Sequence, residues 1–365
     1  MVKVLFFVNE LTSTSIPVEI SAKVHSQDDV EVTLVSYYDG SNDEIDPDVA
    51  ELDIPMVKLA ADSRLDFAAY RRLRQICVEQ NIDILHTHHN STGSLGRLAV
   101  IGTNTKVINT EHNDHRFFTH LQKSVNAISY PVVNTMVSNS ENTSRSFEWY
   151  ERLLLGNTRQ EVVYNGIDAK RIDNARSPTF DIPTGPLVVT AGRLVEQKNY
   201  ETLLRIFKTV VDRVPEATLV IVGDGPLLND LQALARRLDI QDDVLFTGYL
   251  PRREDVYGVL KQAEIAVFPS WYEGFCVAAV EAMAAGLPVV VSDIAVLREV
   301  VGEPGLFADP ETPQTFAEQI IELLENQEKC NQLGSEAKER ARTTFSLERT
   351  AREYLNIYKT MAETP

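Results

Sequence analysis

The sequence predicts an α/β protein of two Rossmann-like, doubly wound domains facing each other across a cleft. Three observations predict it. Short apolar runs recur along the chain, most of those in the second half followed by a helical stretch; the runs are continuous rather than alternating; and a proline-rich polar segment splits them into two sets. A strand that is apolar on both sides belongs in a parallel sheet covered on both faces. Strands alternating with helices make right-handed βαβ units. At 365 residues the chain is too long for one ordinary core and comfortable for two.

In the first half the strand segments are KVLFFV, VEVTLVS, DILHTH, KVINTEH and TMVSNS, and residues 1–175 are the expected N-terminal domain. The polar stretch NARSPTFDIPTGP, Asn174 to Pro186, predicts a linker over 176–186. The second domain, 187–345, carries LVVTAG, TLVIVGDG, DVLFTGYL, IAVFPSW and PVVVSD. The segment LERTAREYLNIYKTMAE predicts a C-terminal helix within 346–365 that packs back on the first domain. Ligands of such sheets bind at the carboxyl ends of strands.

Composition narrows the function. Asp and Glu number 53 against 35 Lys and Arg, a formal charge of -18. That excess works against nucleic-acid binding, which relies on basic patches. It also disfavours anionic lipid, although a local basic patch can still dock peripherally at the inner face of a membrane. No apolar run has bilayer-crossing length, and the N-terminus opens directly into a strand without a basic leader, so the expected location is cytoplasmic. Three scattered cysteines support neither a disulfide framework nor a CxxC metal site. Composition does not address oligomeric state.

The segment FPSWYEGFCVAAVEAMAAGLPVVVSD, Phe268 to Asp293, carries two acids, Glu273 and Glu281, in an otherwise small and apolar helix. If Gly274 opens that helix, the amides of Gly274, Phe275, Cys276 and Val277 point from its positive end, a site for phosphate or hydroxyls. Eight helical residues advance about 12 Å, so the two acids can grip hydroxyls at opposite ends of one extended ligand. Alternatively, Glu273 caps the helix and Glu281 lies in solvent. TAGRLVEQKN places Arg193 after a strand's terminal glycine and Lys198 five residues on, at the opening of the next helix. Two cations there suit a pyrophosphate and the charge that develops as it leaves.

EGFCVAAVE, together with AGRLVEQKN, VGDGP, TGYLP, YNGID and AAGLPVVVSD in that setting, resembles the family-4 (GT4-type) retaining glycosyltransferases of the GT-B fold. The resemblance covers essentially the whole chain and is strongest over 161–310. It implies transfer of a hexose from a nucleoside diphosphate sugar, UDP-sugar foremost, to a hydroxyl of a glycan, lipid-linked or small-molecule acceptor. The first domain would then be the acceptor side. It further implies that Glu273 and the following amides address the donor sugar, Glu281 the ribose, and Arg193 and Lys198 the diphosphate. Tyr249 and Leu250 would border the base. No cofactor and no metal is required, because the two cations and the helix end replace a divalent ion.

Six of the seven histidines fall between residues 86 and 120, an arrangement that also invites a metal reading. His86 and His88 share one face of a strand end and read as residues that orient the cleft floor. His115 and His120 read equally as loop residues or acceptor contacts. The resemblance puts His112 beside the donor's anomeric carbon, with a catalytic role alongside Glu273. The family's first-loop glycines are absent: VNELTSTSIP has none, and its hydroxyls Thr12, Ser13, Thr14 and Ser15 are left to contact a sugar. Two other readings use the same scaffold, a non-hydrolysing nucleotide-sugar 2-epimerase and a catalytically idle nucleotide-sugar-binding subunit.

Overall fold

The computed structural model describes residues 1–27, 29–40, 43–88 and 90–363. His89, one of the six clustered histidines, lies outside them. The chain divides into two compact units, Met1–Gly166 with Leu347–Pro365, and Ile167–Ser346.

In the first unit the described residues form β1 (Val2–Val8), β2 (Val30–Ser36), β3 (Met56–Lys58), β4 (Ile84–Thr87), β5 (Lys106–Glu111), β6 (Thr135–Ser138) and β7 (Arg159–Val162), in the order β3-β2-β1-β4-β5-β6-β7. All neighbours pair in parallel. β1 shows why the runs read as continuous. Val4, Phe6 and Val8 enter one core while Leu5 and Phe7 enter the other, so every side chain from Val4 to Val8 is buried whichever way it points. The helix Leu347–Glu363 contributes Ala351, Tyr354, Ile357, Tyr358 and Met361 to the first of these cores, packing on the helix Ile16–His25 and on β1.

The second unit holds β8 (Leu187–Ala191), β9 (Thr218–Val222), β10 (Val244–Gly248), β11 (Ile265–Phe268), β12 (Val289–Ser292) and β13 (Leu306–Ala308), in the order β10-β9-β8-β11-β12-β13, again parallel. The strand order reverses at β8/β11. Such a switch point opens a crevice at the strand ends, because the loops beyond it lead away to opposite faces. The amphipathic helix Tyr200–Arg213 seals one face with Leu203, Leu204, Ile206, Phe207 and Val210.

The expected boundary at 175 and linker at 176–186 differ from this division. The chain passes between units at Gly166–Ile167 and again at Ser346–Leu347. The helix Ala169–Asn174, expected in the first domain, packs on the helices Arg253–Leu260 and Val277–Ala285 of the second. The polar stretch is fastened too. The Thr179 amide donates to Asp255 at 2.9 Å, and a Cβ at Gly258 would meet the Arg176 carbonyl oxygen at 2.4 Å. Proline-rich composition here marks an ordered strap.

Glycines set one close approach. Gly223 has φ +132, and a Cβ there would lie 2.1 Å from the Gly192 carbonyl oxygen; one at Gly225 would lie 2.5 Å from that of Leu194. Backbone bonds from the Gly192 amide to Val222 and from the Leu194 amide to Asp224, both 2.9 Å, hold the two loops at this spacing. Gly223→Ala is therefore expected to destabilise the protein by about 2 kcal/mol or more. An unchanged denaturation midpoint would refute this.

Candidate active site

The two loops that leave β8 and β11 at the switch point are stitched together. The Trp271 amide donates to the Gln197 carbonyl at 2.9 Å, Gln197 Nε2 to the Tyr272 carbonyl at 2.9 Å, and Asn199 Nδ2 to the Pro269 carbonyl at 3.0 Å. Tyr200 then ties the first loop to its own strand end, its hydroxyl donating to the Gly192 carbonyl at 3.1 Å.

This stitching brings Lys198 Nζ to 2.6 Å from Glu273 Oε1. Glu273 is buried, and Ser270 Oγ donates to the same oxygen at 2.8 Å. Burial alone would lower the Lys198 pKa, but the Glu273 carboxylate outweighs it and raises the pKa, so the ammonium keeps its charge. Lys198 itself is half-buried, but removing it would leave the buried Glu273 carboxylate uncompensated, which costs up to about 3–5 kcal/mol. Arg193, from the same loop, is exposed.

Two readings of these segments are corrected. The short 3-10 helix Glu196–Lys198 ends at Lys198, and Asn199 turns left-handed (φ 56) before the helix begins at Tyr200, so Lys198 does not open that helix. Gly274 does not open the second helix either. Cys276 is its left-handed N-cap (φ 70), and the helix runs Val277–Ala285. Gly274, Phe275 and Cys276 belong to the preceding loop, so the span from Glu273 to Glu281 is only half helical and the 12 Å helical rise does not apply. Glu273 is therefore not that helix's cap. The Cys276 thiol is pushed up to about 12 by burial and then by the neighbouring Glu273.

Glu281 is buried, not in solvent. Arg253 ion-pairs with its Oε1, and the Tyr257 hydroxyl donates to that oxygen at 3.2 Å. The Arg253 guanidinium also stacks over the Tyr257 ring at 5.2 Å. Arg253, Ser270 and Gln197 escaped the sequence reading. The doubled arginine in LPRREDVY was the available signal for Arg253; for the other two only the fold supplies the proximity. Beyond β10, an edge strand, Tyr249 is exposed and Leu250 half-buried.

In the first unit, His86 is fully buried between Tyr358 (Nδ1 to hydroxyl, 2.7 Å) and Thr110 (Nε2 to Oγ1, 2.8 Å), and burial holds its pKa well below the usual value. His88 Nδ1 lies 3.2 Å from His112 Nε2 at the ends of β4 and β5. His115 proves structural. Its Nδ1 lies 2.9 Å from Glu151 and its Nε2 3.6 Å from Glu111, all three buried. His120 is exposed at the start of the helix His120–Ser129. Among the described residues no three His, Cys, Asp or Glu side chains are grouped to hold a metal ion. In the first loop, the Leu11 and Ser13 amides are bonded to Asp39 (2.9 Å) and Asp46 (2.8 Å).

Burial alone would lower the His115 pKa, but hydrogen bonds and charge from Glu111 and Glu151 raise it from 6.5 to about 9. Because the folded value is the higher one, the stabilisation is complete below pH ~6.5 and lost as pH rises through about 9. Unfolding free energy is thus expected to fall by roughly 3 kcal/mol between pH 6.5 and 10, at about 1.4 kcal/mol per unit. A flat profile in denaturant titrations across that window would refute the ion pair.

Two sequence profiles match the chain. Glycosyl transferases group 1 matches over residues 172–340, and Glycosyltransferase Family 4 over 21–171. An uncharacterized glycosyltransferase of Methanocaldococcus jannaschii is 30% identical over 56% of this chain and 54% of that protein, so the match spans about half that relative's length. The N-acetyl-alpha-D-glucosaminyl L-malate synthase of Bacillus anthracis is 26% identical over 80% of this chain and 78% of that protein. Among solved structures, Anabaena HepE in complex with UDP and glucose superposes with a TM-score of 0.80 at 18% identity, covering 99% of this chain and all (100%) of that one. That likeness is one of fold.

Proposed function

The chain belongs to glycosyltransferase family 4, and from that premise we propose that it moves a hexose from a UDP-sugar to a hydroxyl acceptor with retention at the anomeric carbon and without a metal ion. The observation that carries this reading is the Lys198–Glu273 pair at the β8/β11 switch point, where a half-buried cation and a buried acid meet at the strand ends. An ammonium has three donors. One satisfies Glu273, which fixes its position; the others reach the donor's diphosphate, joined by exposed Arg193. Glu273 Oε2 takes a hydroxyl of the donor sugar, with the amides of Gly274–Val277 beside it. Glu281, anchored through Oε1, takes the ribose through Oε2, and Tyr249 and Leu250 border the base. His112 hydrogen-bonds the reacting sugar. The complex of HepE with UDP and glucose supports a nucleotide-sugar donor, and the name of the B. anthracis relative, a glucosaminyl malate synthase, supports transfer of a sugar.

The bond from the anomeric carbon to the diphosphate oxygen breaks as the acceptor oxygen bonds to the same face. The acceptor's proton passes to the departing phosphate, so no enzymic nucleophile is needed. Lys198 and Arg193 stabilise the charge gathering on the leaving group, where a preorganised donor is most effective.

Transfer from a panel of radiolabelled nucleotide sugars, with and without EDTA, tests the assignment. Activity is expected to survive EDTA. Lys198→Ala is expected to lower turnover by on the order of a hundredfold. Glu273→Gln should reduce kcat far more than donor affinity, because its contact changes as the bond breaks. Glu281→Gln should instead raise the donor KM. A folded Lys198→Ala protein with normal turnover, or stoichiometric zinc lost together with activity, would overturn the reading.

A further inference from the structure

The first unit presents an outward apolar face on two neighbouring helices. Phe117, Leu121, Ile128, Trp149 and Leu153 are each half to three-quarters exposed. Leu121 and Ile128 stand seven residues apart on the helix His120–Ser129, whose inward side buries Lys123, Asn126 and Ala127. Trp149 and Leu153 stand four apart on the helix Trp149–Leu155, whose inward side buries Glu151 and Leu155. Both spacings keep side chains on one helical stripe. The two helices touch, and Lys123 Nζ bonds Glu148 at 2.8 Å between them.

Charge says what covers this face. The chain carries 53 acids, yet between Ile84 and Ser140 the sequence has two, Glu111 and Asp114, and both are buried. Residues 84–160 hold seven Lys and Arg against five Asp and Glu in a chain whose net charge is -18. Of the remaining acids near the face, Glu141 pairs with Arg145 and Glu148 with Lys123. Arg116 is held by Asp114, whereas Arg152, on the same helix as Trp149 and Leu153, is exposed and bonds backbone carbonyls. A chain this acidic is repelled by an anionic surface everywhere except where acids are withheld.

We propose that this face docks in the plane of an anionic phospholipid bilayer, with Trp149, Leu153, Leu121 and Ile128 entering the headgroup boundary and Arg152 beside them meeting a lipid phosphate. Apolar residues on one stripe with basic residues beside them are the pattern of an interfacial helix, and an exposed tryptophan is favoured at that depth. The proposal is independent of the sugar chemistry.

Co-sedimentation of the full chain with vesicles of phosphatidylcholine alone and of equimolar phosphatidylcholine and phosphatidylglycerol tests it. Binding is expected with the anionic vesicles only and should weaken as salt is raised. The double variant Trp149→Ser, Leu153→Ser should partition at least about tenfold less, with its melting transition unmoved because both side chains are exposed. Bromine-labelled lipid should quench Trp149 fluorescence, with Trp149→Phe giving the background from Trp271. Wild-type protein left in the supernatant, or a double variant that pellets like wild type, would overturn the proposal. So would a wild-type dimer that the double variant dissociates, because the face would then meet a second copy.

Discussion

A carboxylate buried at the end of a parallel sheet must find a cation, and in the second unit Glu273 finds Lys198. Several features follow from that requirement. The β8 loop must reach the β11 loop, which the adjacency of these strands allows and the 197–199 to 269–272 hydrogen bonds secure. The β8 loop must also lie against the strand end of β9, which only side-chain-free positions at Gly223 and Gly225 permit. The VGDGP segment is thus a seat for the loop that carries Arg193 and Lys198. Asn199 and Cys276 adopt left-handed backbone for the same reason, turning each chain from the pair into its helix. Non-glycine residues in that conformation are uncommon, and the surrounding bonds hold them there.

Both units bury charge, and each does so in balanced groups. Glu281 has Arg253, and His115 stands between Glu111 and Glu151. Arg97, wholly buried, bonds Ser94 and Ser129 and, through Asn109, is linked to Glu111. Well-packed apolar side chains would often be as stable as such groups. In the first unit the network joins β4, β5 and the helices Ser91–Ala99, His120–Ser129 and Trp149–Leu155 into one framework. In the second the Lys198–Glu273 pair sits at strand ends, where a ligand can share it, and the Arg253–Glu281 pair joins the helices Arg253–Leu260 and Val277–Ala285.

The sheets were legible in the sequence where strands are central and, of the edge strands, only at β10. KVLFFV, TLVIVGDG and PVVVSD read as buried strands because both faces are covered. β3 is three half-buried residues and β7 is Arg159-Gln160-Glu161-Val162, an edge with two exposed residues, so neither produces an apolar run. The acids and cations of the site were legible by residue type, but their pairing was not. Lys198 and Glu273 lie 75 residues apart and meet only because β8 and β11 are neighbours. The helix starts were misread because glycine is an ordinary helix entrance, whereas Cys276 and Asn199 take left-handed turns that nothing local announces. His115 read equally as a loop residue or an acceptor contact because its carboxylate Glu151 comes from a helix 36 residues on.

The pairing changes what the charged groups do in the proposed reaction. Lys198 is already balanced by Glu273, and Arg253 by Glu281, so these four side chains together carry no net charge. Exposed Arg193 alone adds a unit of positive charge, against a diphosphate that carries more than that in negative charge. Gross attraction therefore supplies little of the donor's affinity, which falls to the sugar, ribose and base contacts. The pair matters for direction instead. An ammonium held on one side by a carboxylate cannot relax away from the leaving group, so its remaining donors stay aimed as negative charge accumulates there. Stabilisation that grows along the reaction coordinate raises turnover, whereas equal attraction for bound donor and transition state would not.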